Sequence, residues 1–176
     1  VNDIASTPED TPVTIDVLAN DSDPNGDPLS VTAASVDRGQ VAIQPDGRLL
    51  YTPPADFSGT ATISYTVADP DGATRSATVT VTITPVNDAP VSAAPAGNLS
   101  GGDGNAVSLD ASAFFSDPDG DALSYSATGL PPGLSIDPAT GLITGTIASS
   151  ASAAGPYAVV ITATDPDHLD IYGTKE

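Results

Sequence analysis

Short runs in which Val, Ile or Ala alternates with Thr or Ser, cut apart by seventeen prolines and sixteen glycines, leave this chain little room for helices. Val13, Ile15 and Val17 alternate with Thr14 and Asp16. Ala61, Ile63, Tyr65 and Val67 alternate with Thr62, Ser64 and Thr66, and Val79, Val81 and Ile83 alternate with Thr78, Thr80 and Thr82. Each run places its apolar side chains on one face and its hydroxyls on the other, as a strand with one buried face requires. Further strands are expected at residues 29–36, 40–44 and 49–52, with Asp46-Gly47 turning between the last two. Seven or so strands in the first 85 residues point to an all-β fold, a Greek-key β-sandwich.

The plan is repeated. Asp23-Pro24-Asn25-Gly26-Asp27 returns as Asp117-Pro118-Asp119-Gly120-Asp121. Asp69-Pro70-Asp71 follows the first copy's Asp23 by 46 residues, and Asp165-Pro166-Asp167 follows Asp117 by 48. Val107 and Leu109 lead into Asp110 as Val13 and Ile15 lead into Asp16. Tyr157, Val159, Ile161 and Ala163 alternate ahead of Asp165, matching the run before Asp69. Two tandem sandwiches are therefore expected, one over residues 1–88 and one over 89–167, with a tail at 168–176 of uncertain origin. Val86-Asn87-Asp88 repeats Val1-Asn2-Asp3 after 85 residues, which marks a joint, and the flanking Pro85 and Pro90 restrict its bending. The tail is too short for a final strand like that of the first copy, so the second sandwich is expected to lack its last strand or to replace it. The start reads as if cut from a longer chain.

Charge narrows the partners. Acidic residues number 23 against 4 basic ones, a formal net charge of −19. Such a surface repels nucleic acid and anionic lipid and attracts cations. A composition this acidic also raises the question of disorder, but 39% hydrophobic content in regular alternation answers it. With no cysteine there is no disulfide framework, thiolate zinc site or cysteine nucleophile. No apolar run approaches the ~18 residues that cross a bilayer.

The recurring acids have two readings. Asp, Pro and Gly make good turns between strands on their own account. They also suit a calcium site, since a hard cation takes about 6–8 oxygen ligands, and carboxylates two residues apart around a turn repel one another without one. The candidate ligands are Asp23, Asn25 and Asp27; Asp69 and Asp71; Asn87 and Asp88; Asp117, Asp119 and Asp121; and Asp165 and Asp167. Glu9 and its spacing equivalent Asp103, each seven residues before Asp16 or Asp110, are added to them. The order is not that of an EF-hand, whose glutamate at position twelve is missing.

Several of these motifs carry a family resemblance. Glu9-Asp10-Thr11-Pro12, Val17-Leu18-Ala19-Asn20-Asp21-Ser22-Asp23, Tyr51-Thr52-Pro53, Phe57-Ser58-Gly59 and Asp69-Pro70-Asp71-Gly72 resemble the cadherin-like and bacterial immunoglobulin-like repeats of large bacterial surface adhesins, including RTX-type biofilm adhesins. Leu130-Pro131-Pro132-Gly133-Leu134-Ser135-Ile136 and Thr140-Gly141-Leu142-Ile143-Thr144-Gly145-Thr146 resemble the dystroglycan-type cadherin-like repeat. The resemblance implies Ca2+ at the interdomain joint, held by Glu9, Asp69, Asp71, Asn87, Asp88, Asp117 and Asp119. It implies that Asn2, Asp3 and Asp23 serve a preceding joint and Asp165 and Asp167 a following one. His168, where the first copy has glycine, departs from the pattern.

Catalysis finds few groups. The one histidine, His168, lies in the tail, so a Ser-His-Asp triad has no base. Carboxylate pairs serve glycosidases, but these sit in small turns, and aromatics are only 5%, too few for a sugar-stacking cleft. The expectation is a non-enzymatic, secreted, calcium-stiffened segment of a bacterial cell-surface adhesin, monomeric, whose partners are neighbouring domains of the same chain. The alternative is a direct binding module for a surface polysaccharide or protein ligand, or an accessory domain of a polysaccharide-degrading enzyme. Neither reading involves nucleic acid or membrane insertion.

Overall fold

The structure, a computed structural model, describes residues 1–93 and 100–165. It divides into two units, the first Val1–Val86 and the second beginning at Asn87. Every regular element among the described residues is a strand, apart from two 3₁₀ turns at Ser112–Phe114 and Ala151–Ala153.

The first unit is a sandwich of seven strands. β1 (Asp3–Pro8), β7 (Thr74–Thr84), β6 (Gly59–Ala68) and β3 (Ser30–Val36) form one sheet in that order, with β1 parallel to β7. β2 (Val13–Ile15), β5 (Leu49–Thr52) and β4 (Gln40–Ile43) form the other. The chain changes sheet after β1, β2, β3 and β5, so only β4–β5 and β6–β7 are hairpins within a sheet. The alternation read from sequence fills the space between the sheets. Leu49, Tyr51, Ala61, Ile63, Tyr65, Val79, Val81 and Ile83 are buried while the intervening threonines of β7 face water. Gly39 is required where it is: its φ is +80°, and a Cβ there would stand 2.4 Å from the Thr52 carbonyl oxygen.

β1 was not among the expected strands. Its inward positions are Asp3, Ala5 and Thr7, while Ile4 points out and is 88% exposed. The strand therefore lacks the apolar alternation that identifies the others; pairing with β7, from Asp3 opposite Val79 to Pro8 opposite Thr84, holds it.

The described residues of the second unit repeat much of the arrangement. β9 (Ala106–Asp110), β13 (Leu142–Thr146) and β12 (Leu134–Ile136) form a sheet in the order β12-β13-β9, as β2, β5 and β4 do in the first unit. β11 (Ser124–Thr128) pairs with β14 (Val160–Thr164) as β3 pairs with β6, and β8 (Val91–Ser92) pairs with β10 (Phe115–Ser116). Among its described residues the buried apolar side chains are Ala111, Ile143, Ile147 and Ala151, and the Phe115 and Tyr125 rings lie 6.3 Å apart. β14 begins three residues later than the alternation from Tyr157 leads one to expect. The Tyr157 hydroxyl donates to the Ala151 carbonyl at 3.1 Å, tying that residue to the 3₁₀ turn rather than to a ladder. The expected loss or replacement of the last strand, and the tail at 168–176, lie outside the described residues.

Candidate metal centre

The loop between β10 and β11 is held together by one carboxylate oxygen. Asp117 Oδ1 accepts the backbone N–H groups of Asp119 at 2.9 Å and Asp121 at 3.3 Å. The Gly120 N–H donates to the Asp117 carbonyl at 3.2 Å, and Gly120 takes a φ of +81° that lets the chain curl back. Asp117, Asp119 and Asp121 each present a carboxylate oxygen within 4.8 Å of the others. Asp117 Oδ2, the oxygen not used to shape the loop, is buried and has no hydrogen-bond partner among the described residues. Leaving a buried acceptor unsatisfied costs about 1–3 kcal/mol, and more when it is charged. An oxygen-loving divalent cation fits both that oxygen and the crowding of charge.

Two further segments of the same unit reach this pole. The Asp88 N–H donates to Asp119 Oδ2 at 2.7 Å. Asn87 Nδ2 donates to Asp165, whose side chain is almost wholly buried at 1% residue exposure. The Val-Asn-Asp segment that enters the second unit is thus fastened to that unit's own acidic loops. Asp167 lies outside the described residues.

The first unit has the corresponding arrangement. Asp23 Oδ1 accepts the N–H groups of Asn25 at 2.7 Å and Asp27 at 3.4 Å. Asp69 Oδ1 accepts the Ala73 N–H at 2.9 Å, closing the β6–β7 hairpin that carries Asp71 on its exposed turn. An open cleft here is lined by Val1, Asn20, Asp21, Asp23, Asp69 and Arg75 among others. Asp3 stands at the same end: its Oδ1 accepts from Asn20 Nδ2 at 2.8 Å and its Oδ2 from the Tyr65 hydroxyl at 2.7 Å. Asn2 Oδ1 is taken by the Thr78 N–H at 3.1 Å.

These positions correct two groupings. Asp69 and Asp71 do not share an end of the sandwich with Glu9. Glu9 follows β1, where Pro8 pairs with Thr84, and its Oε1 accepts the Val86 N–H at 2.6 Å. The Asp69 turn is at the other end of β7, eleven residues long, which at ~3.3 Å per residue is roughly 35 Å. The same routing puts Asp165 with Asn87 at the entry of its own unit rather than in reserve for a following one. In the first sandwich the β6–β7 turn and the loop between β2 and β3 meet at one pole, so the grouping implied by the family resemblance does not hold for Glu9, Asp69 and Asp71. Asp103, grouped with Glu9 by spacing, has both oxygens occupied by Ser152, whose N–H and hydroxyl each donate at 2.9 Å.

Asn20, Asp21 and Tyr65 were not among the expected site residues. Asn20 and Asp21 were visible in Asn20-Asp21-Ser22-Asp23, but Tyr65 gave no signal beyond its place in an apolar alternation. Its ring is core and its hydroxyl emerges among acids. Burial first, then hydrogen bonding to Asp3 and the charges of Asp3 and Asp21, pushes its pKa well above the usual tyrosine value. It stays a neutral donor.

Residues 1–82 match the family model described as Bacterial Ig domain, and residues 89–174 match the one described as Putative Ig domain. The molecule is a tandem of two immunoglobulin-like domains. Among solved structures, human CDH23 EC21-23 aligns at a TM-score of 0.54 with 17% identity, covering 93% of this chain and 72% of that one. The cadherin domains 1–5 of Protocadherin Gamma B2 align at 0.47 with 18% identity, over 94% of this chain and 36% of that one. An endo-fucoidan hydrolase from glycoside hydrolase family 107 aligns at 0.36 with 23% identity, over 96% of this chain and 26% of the hydrolase. The likeness to CDH23 is one of fold alone. Among curated proteins, a UDP-N-acetylmuramate–L-alanine ligase from Phocaeicola vulgatus is 90% identical over 21 residues, which is 12% of this chain and 5% of the ligase. Among the described residues no helix is long and apolar enough to cross a membrane.

Proposed function

We propose that this chain is a calcium-stiffened segment of a secreted bacterial surface adhesin, of the RTX-type class its motifs resemble, and that it has no catalytic role of its own. The observation that carries the calcium reading is Asp117 Oδ2, buried without a partner inside a cluster of three carboxylates. Asp117, Asp119 and Asp121 are the ligands in this reading, with Asp88 and Asp165 beside them through their bonds to Asp119 and Asn87. The tandem immunoglobulin-like architecture supports an extracellular adhesion-type or accessory role.

In this reading calcium supplies positive charge and a fixed set of oxygen contacts. The protein supplies a loop already curled by Asp117 Oδ1 and an entry segment already fastened at Asn87 and Asp88. Locking that segment fixes the direction in which the chain enters the domain, which is what a spacer in a tandem array needs. Extracellular modules bind calcium with dissociation constants of about 10⁻⁴–10⁻³ M, and binding to the folded state alone raises stability by mass action.

Calorimetry with calcium and with EGTA tests this. The melting midpoint is expected to fall on chelation, and Asp117→Asn, which preserves an acceptor for the loop N–H groups, is expected to weaken calcium binding on the order of tenfold or more. Equal midpoints in calcium and EGTA would reject the proposal. X-ray scattering in the two conditions reads stiffness directly: chelation is expected to broaden the distribution of interatomic distances.

A further inference from the structure

The two acidic loops share one backbone plan and differ at one residue. In each, the first aspartate's Oδ1 accepts from the residues two and four places on, at 2.7 and 3.4 Å in the first loop and 2.9 and 3.3 Å in the second. In each, the glycine N–H donates to that aspartate's carbonyl, at 3.1 and 3.2 Å, and the glycine φ is +85° and +81°. The second loop has carboxylates at all three positions, whereas the first has an amide, Asn25, where the second has Asp119.

Asn25 is followed by Gly26, and no other asparagine in the chain is followed by glycine. Both residues are exposed, and no heavy atom lies within 4 Å of where a Gly26 Cβ would stand, so the turn is open to solvent and the Gly26 N–H is held only by its bond to the Asp23 carbonyl. The Asn25 side chain makes no hydrogen bond among the described residues. By contrast Asn2, Asn20 and Asn87 are held through their side chains by Thr78, Asp3 and Asp165.

We propose that Asn25 is a site of spontaneous deamidation, and that the aspartate formed gives the first loop the same three carboxylates as the second. The Gly26 backbone nitrogen attacks Asn25 Cγ; a C–N bond forms, the bond from Cγ to the amide nitrogen breaks, and ammonia departs with the Gly26 amide proton. Water then opens the five-membered imide. Cleavage at Cγ leaves aspartate on an unaltered backbone, and cleavage at the main-chain carbonyl leaves isoaspartate. No enzyme or oxidant is needed. The Gly26 N–H must first release the Asp23 carbonyl, so the turn itself sets the rate. The consequence for cation binding rests on the calcium reading above, and a cation that braces the loop would slow the reaction.

The test is to age the full chain in mildly alkaline buffer, with and without calcium, and map its peptides by mass spectrometry. Asn25 is expected to gain one mass unit ahead of every other asparagine, faster in EGTA than in calcium, and Asn25→Gln is expected to stay unchanged. An unaltered Asn25 overturns the proposal. Calcium titration of Asn25→Asp, which carries the product and the loop chemistry of Asp119, is expected to show binding tighter on the order of tenfold than the parent. If Asp117→Asn weakens calcium binding but Asn25→Asp does not strengthen it, the equivalence of the loops is wrong. If no variant alters calcium binding, the calcium reading fails along with this consequence, and the mass shift still decides the modification.

Discussion

Tyr65 shows how one side chain joins core and pole. Its ring is buried between the sheets, and its hydroxyl oxygen lies 2.7 Å from Asp3 Oδ2, 3.0 Å from the Val1 carbonyl, 3.3 Å from Asp21 Oδ2 and 3.4 Å from the Val17 carbonyl. One O–H proton cannot serve four acceptors, so it serves Asp3, the nearest, and deprotonation is opposed by all of them. A phenol whose folded pKa is raised contributes stability that is complete below its unfolded pKa, about 10, and is lost as pH rises through the folded value. Tyr51 acts in the same direction, through burial first and the charge of Asp37 second. The first domain is therefore expected to hold its melting temperature through neutral pH and to lose it above about pH 10. Tyr65→Phe should cost about 1–3 kcal/mol at neutral pH, because buried acceptors lose their donor, and should flatten the alkaline loss. A melting curve series against pH checks both.

Among the elements, β6 and β1 are opposite cases. In β6 the apolar residues alternate and all four of Ala61, Ile63, Tyr65 and Val67 are buried, so the strand was legible. In β1 the large apolar residue faces water and the inward residues are small or polar. Ile63→Ala is expected to destabilise the first domain by about 2–5 kcal/mol, as other buried Ile truncations do. Ile4→Thr should change stability by no more than about 0.5 kcal/mol, although both isoleucines sit in strands of one sheet. Chemical denaturation of the two variants distinguishes them; a large loss at Ile4 would mean that its face is covered in solution. The acidic turns were legible for a different reason. The Asx turns at Asp23 and Asp117, and the Asp69–Ala73 bond, need only local hydrogen bonds, so sequence spacing fixes them without reference to the rest of the fold.

For the whole molecule, the unequal cores matter most. The first unit buries eleven hydrophobic side chains in one cluster, whereas the buried hydrophobics among the described residues of the second are Ala111, Ile143, Ile147 and Ala151. Each fully buried Val, Leu or Ile is worth about 1.5–3 kcal/mol, so the described residues of the second domain contribute less core burial than those of the first. Calorimetry of the whole chain is expected to show two transitions, the lower from the second domain. Because the tri-aspartate cluster with the unpartnered oxygen belongs to that domain, chelation should move the lower transition more than the upper. A single transition unaffected by Ile63→Ala would overturn this assignment.

The sequence alone determined the all-β class, the duplication, the inward faces of most strands and the acidic turns, because each follows from period-two alternation or from bonds spanning a few residues. It could not determine which turns share a pole. That Asp165 lies with Asn87, that Asp69 stands a strand's length from Glu9, and that Tyr65 brings its proton to Asp3 all depend on where distant strands pair. Only the tertiary structure decides that, since the hydrogen-bond ladders joining β1 to β7 and β11 to β14 link residues far apart in the chain and leave no local signal in either partner.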